Sequence, residues 1–104
     1  MAWFMLIVAG AFETAWAIGL KYSDGFSRLV PSVLTVAAMA ASIVLLSIAL
    51  KSLPVGTAYA VWTGIGAVGT AVLGMVLFEE PATVLRIASI ALVVVGIAGL
   101  KLGS

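Results

Sequence analysis

The sequence contains no cysteine and no histidine. The first absence removes thiolate nucleophiles, disulfides and sulfur ligands for a metal, and it leaves the redox compartment undefined. The second argues against zinc sites, Ser-His-Asp triads and imidazole proton relays. With no nucleophile–base pair in view, neither an enzyme nor a bound cofactor or metal is expected. Charge is scarce too, at 9% of residues, where a soluble domain carries about a quarter. Five Lys and Arg stand against four Asp and Glu, for a net charge of +1. No basic tract exists to hold nucleic acid. What remains is apolar: 64% of the 104 residues are hydrophobic. A soluble fold of this length cannot hide so much apolar surface, so lipid is the expected solvent.

The few charges punctuate the chain into four apolar runs. A membrane span needs about 20 residues to cross about 30 Å of hydrocarbon. Residues 2–20 supply one, interrupted only by Glu13. Residues 29–50 and 55–78 carry no charge at all, and 83–100 carries only Arg86 near one end, where its stem can snorkel. Between them lie KYSDGFSR (residues 21–28), Lys51-Ser52-Leu53-Pro54 and Glu79-Glu80-Pro81, all turn-like. The expectation is a single all-α domain over residues 1–104, its four transmembrane helices forming an up-down bundle. Ala15 and Ala17 make an A-x-A pattern, but no Lys or Arg precedes the first run. It is therefore expected to be a retained span rather than a signal peptide.

Orientation is weakly encoded. Lys51, Lys101 and the N-terminal amine fall on one face of such a bundle, and Lys21, Arg28 and Arg86 on the other. The positive-inside rule then has almost nothing to act on, which permits insertion both ways and an antiparallel dimer. Size points the same way, since four short helices barely enclose a substrate cavity.

Glu13 is the residue that carries chemistry. It sits about 16 Å along the first helix, near the bilayer centre. A charge there costs at least a few kcal/mol and usually faces an interior or aqueous cavity. Such a carboxylate is suited to holding either a proton or a cation; the bland alternative is a protonated side chain that only joins helices. Trp16, three residues on, shares its face, and Gly10, three before, leaves room beside it. Tyr59 and Trp62 offer O–H and N–H donors and an aromatic wall for a cation, unless they are interfacial aromatics. Ser42 can reach Glu13 or bond its own helix. Gly64-Ile65-Gly66-Ala67-Val68-Gly69 matches GxGxxG but follows no strand, so it is no dinucleotide motif. Two readings stand for it: a hinge at Gly64 and Gly66, or a packing stripe of Gly66, Thr70 and Gly74. Ser89 and Gly96, seven apart, suit a helix seam, between subunits or within one chain.

Taken together, the runs AFETAWAIGLKYSDGFSRLVPS and LKSLPVGTAYAVWTGIGAVGT resemble the small multidrug resistance family, and most closely its guanidinium exporters. The resemblance covers nearly the whole chain. Trp16 just after the glutamate is typical of the guanidinium exporters. The resemblance implies a bacterial inner-membrane antiparallel homodimer that exchanges protons for a guanidinium-like cation, with lipid and a second copy as its partners. It implies that Glu13 binds proton or substrate, with Trp16, Ser42, Tyr59 and Trp62 as hydrogen-bond partners of the carboxylate. It makes Gly64 and Gly66 a bend, and Ser89 and Gly96 a dimer seam, although glycine is frequent at the first of these seam positions. The rival within the class is an exporter of quaternary ammonium or aromatic cations; outside it stand a small cation channel and a structural membrane subunit.

Overall fold

The apolar runs form helices, and the polar stretches end them. The computed structural model describes residues 1–103. Four helices follow in order: α1 (Ala2–Ser23), α2 (Leu29–Ala49), α3 (Val55–Leu77) and α4 (Val84–Leu102). Each is long and apolar enough to cross a membrane. α1 outlasts its apolar run by a turn. Lys21 sits in that last turn, favoured by the helix dipole, and its carbonyl accepts from the Asp24 N–H at 3.3 Å. Asp24, Gly25 and Phe26 then adopt left-handed conformations and reverse the chain. In α2, Pro31 occupies the first turn, where its missing N–H costs nothing. Pro54 precedes α3, and the Thr83 hydroxyl caps α4 by accepting from the Arg86 N–H at 3.2 Å.

Short connections make the helices alternate in direction. At one end, Lys21 lies over the Phe78 ring at 5.3 Å and Tyr22 stacks near it, so α1 and α3 finish together. At the other, the Lys101 ammonium lies 4.6 Å from the Trp3 ring, so α4 finishes where α1 starts. Helix α1 packs on α2 and α3, whereas α4 packs mainly on α3 and meets α1 where Lys101 lies over Trp3. The core is Leu6, Ala9, Leu46, Ala49, Ala58 and Val61. Its small side chains let the backbones close up, which is how helices associate in lipid, where the hydrophobic drive is lost. No described residue of α4 is buried.

Candidate functional site

Glu13 reaches across from α1 to α3, and a glycine receives it. A Cβ placed on Gly66 would lie 2.5 Å from the Glu13 carboxyl carbon and from Oε2. Only a bare Cα admits the carboxyl group there. The next residue, Thr14, holds the same crossing: its hydroxyl lies 3.3 Å from the Gly66 carbonyl and 3.3 Å from that of Gly10. Thr14 also fills the space beside Gly69. α3 runs through Gly64 and Gly66 as continuous helix, and Gly64 faces Ile97 of α4. The stripe Gly66, Thr70 and Gly74 lines a cleft of about 570 Å³ together with Glu13, Ala17 and Lys21. It is thus not a surface for close backbone packing, because carboxyl groups occupy the places a Cβ would take on both Gly66 and Gly74. The room at Gly10 is likewise taken by Ile65 and not by the carboxylate.

Oε2 of Glu13 is buried with no protein hydrogen-bond partner among the described residues, and so is the indole Nε1 of Trp16. An unpaired buried carboxylate oxygen is costly in a low dielectric, and a proton or a bound cation relieves that cost. Ser42 is fully buried, yet within this chain it bonds neither its own helix nor Glu13. Its hydroxyl donates to the Ala9 carbonyl at 2.7 Å and accepts from Trp62 Nε1 at 2.8 Å. The Ala9 carbonyl is the helical acceptor of the Glu13 N–H, four residues on. Ser42 and Trp62 therefore brace the turn of α1 that presents Glu13, one step back from its carboxylate. Tyr59 lies further out, 56% exposed, its ring 5.6 Å from that of Trp62. Ser89 and Gly96 are exposed on α4, Ser89 donating to its own helix at Leu85.

The chain, with four spans and a part-buried carboxylate deep in the first, matches the family model for the Small Multidrug Resistance protein over residues 1–93. The chain belongs to the small multidrug resistance family. Similar proteins include the Guanidinium exporter of Yersinia pseudotuberculosis serotype I (strain IP32953), 65% identical over 100% of both chains. That of Escherichia coli (strain K12) is 62% identical over 100% of this chain and 99% of its own, and that of Proteus vulgaris 57% over 100% of both. As a family member the chain is a membrane transport protein and not an enzyme, a multi-pass protein of the bacterial inner membrane.

Sequence reasoning about this family member missed three residues. Thr14 was hidden because a membrane threonine ordinarily bonds only its own helix. Glu80 and Arg86 read as a turn residue and a snorkelling cation. They form an ion pair at 2.5 Å at the mouth of the cleft, a contact that only the fold of the α3–α4 turn creates.

Proposed function

We propose that this protein exports guanidinium-type cations in exchange for protons, with Glu13 binding either the cation or the proton. The observation that carries the reading is the Glu13 carboxyl seated on Gly66 in the cleft, with Oε2 buried and unpaired. Two full-length relatives more than 60% identical bear the name Guanidinium exporter, which supports the choice of cation. A planar guanidinium donates two parallel hydrogen bonds to one carboxylate, and in this reading the indoles of Trp16 and Trp62 are its aromatic walls. Both ligands compete for one carboxylate, so cation binding weakens as pH falls.

The working unit we propose is an antiparallel homodimer. α4 offers an unburied face with Ser89 and Gly96 as its seam, and the near-equal Lys and Arg count on the two ends permits both insertions. Two Glu13 residues then share one cavity, and rocking about Gly64 and Gly66 opens it to one side at a time. The two open states of such a dimer are equivalent, so the proton gradient alone sets direction.

Proton-driven uptake into proteoliposomes tests the substrate class. Guanidinium and methylguanidinium should be exchanged, while tetraalkylammonium, lacking N–H donors, should not. Uptake of tetraalkylammonium at the rate of guanidinium would replace this reading with that of a broad cation exporter.

A further inference from the structure

The cleft that holds Glu13 has a second carboxylate at its mouth. After α3, Glu79 turns left-handed at φ 55, and the Glu80 N–H returns to donate to the Gly74 carbonyl at 3.3 Å. The Glu80 carboxyl then sits where a Cβ on Gly74 would lie, as that of Glu13 sits on Gly66. Both glycines line the same cleft. They are eight residues apart on α3, so the two carboxylates are spaced about 12 Å along the helix. Glu80 Oε1 accepts from Arg86 Nη2 at 2.5 Å. The Arg86 and Glu80 side chains are 33% and 40% exposed, so their pair is weak and open to competition. The head group of Arg86 is itself a guanidinium. Glu80 thus already holds a planar cation through an N–H donor.

We propose that Glu80 is an outer binding site for the transported guanidinium cation, occupied by the Arg86 side chain when no cation is there. The proposal rests on the export of guanidinium-type cations argued above. A cation at the mouth replaces Arg86 on Glu80, donating the same kind of N–H bond to the carboxylate, and passes down the glycine-lined wall to Glu13. Arg86 re-pairs with Glu80 behind it. Because one guanidinium substitutes for another, the Glu80 carboxylate is not left bare in the exchange. A quaternary ammonium cannot replace the N–H bond that Arg86 gives up, so the mouth discriminates before the inner site does.

Arginine ¹⁵N signals of the full-length protein in lipid bilayers test this directly. The chain has two arginines, and Arg28 serves as the reference for Arg86. In a Glu13→Gln background, guanidinium should shift the Arg86 side-chain signals saturably and leave those of Arg28 in place. Glu80→Gln in the same background should abolish that response, and tetramethylammonium at equal ionic strength should not produce it. Static Arg86 signals, or an equal response to tetramethylammonium, would overturn the proposal. In transport by otherwise unaltered protein, Glu80→Gln should raise KM for guanidinium about fivefold, the scale of a partly exposed ion pair. kcat should stay within about twofold, the pattern of lost binding rather than lost turnover. Gly74→Ala, which keeps every charge but dislodges the Glu80 carboxyl, should act in the same direction, and Glu79→Gln should change neither constant. A KM equal to wild type in Glu80→Gln, or raised equally by Glu79→Gln, would also overturn the outer site. If the unaltered protein moves no guanidinium, the export reading fails, while the arginine signals still decide whether Glu80 binds it.

Discussion

Glu13 and Gly66 make one unit, because the carboxyl fits only where α3 has no side chain. This gives Gly66 a role that bending does not require. Alanine at a helical glycine ordinarily stabilises by about 0.5–1 kcal/mol. Gly66→Ala should therefore leave thermal stability in detergent equal or slightly higher, yet cut guanidinium exchange at least about tenfold, a misplacement effect. Gly56→Ala, with open space around its Cβ, should leave exchange unchanged. Normal exchange by Gly66→Ala would show that the carboxyl works without its seat. At this scale the sequence was half legible. Glu13 stood out because nothing else charged lies deep in a span. The actual partner of Ser42, the Ala9 carbonyl, was not legible, because a hydroxyl takes whichever acceptor the neighbouring helix presents.

Among the elements, α1 and α4 contrast. α1 is wedged between α2 and α3 and carries buried residues on several turns, whereas no described residue of α4 is buried. Apolar side chains on α4 can face lipid without cost, so exposure by itself demands no partner. Gly96 is different: nothing lies within 4 Å of its missing Cβ, and a bare backbone patch is what close helix packing uses. Gly96→Leu should fit the single chain without a clash but block a seam between copies. Single-molecule subunit counting in lipid should then shift from dimer to monomer, with helix content retained. A dimer population equal to wild type would place the seam elsewhere. Helix existence was easy to read, since long charge-free runs have one stable form in lipid. Helix ends were harder, as at Lys21 to Ser23, where a dipole-matched lysine and a left-handed cap carry α1 past its apolar run. The seating of Glu80 over Gly74 was invisible in the sequence, because it depends on the left-handed Glu79.

For the whole molecule, the central question is whether one carboxylate serves two ligands. The cleft is lined by Glu13 and by Lys21, Glu80 and Arg86, so on the proposed reading a cation meets its first acceptor at the end of the bundle and its last in the middle. A cation and a proton bound together at Glu13 would leave excess positive charge in a low-dielectric site. On the proposed reading the two ligands therefore exclude each other, and exclusion combined with alternating access yields exchange. The measurement that tests this most directly follows luminal pH in proteoliposomes loaded with guanidinium, with no initial proton gradient. Efflux of guanidinium through the unaltered protein should drive protons inward and acidify the lumen, and Glu13→Gln should abolish the acidification. Guanidinium efflux with no pH change, or acidification that persists in Glu13→Gln, would contradict the account.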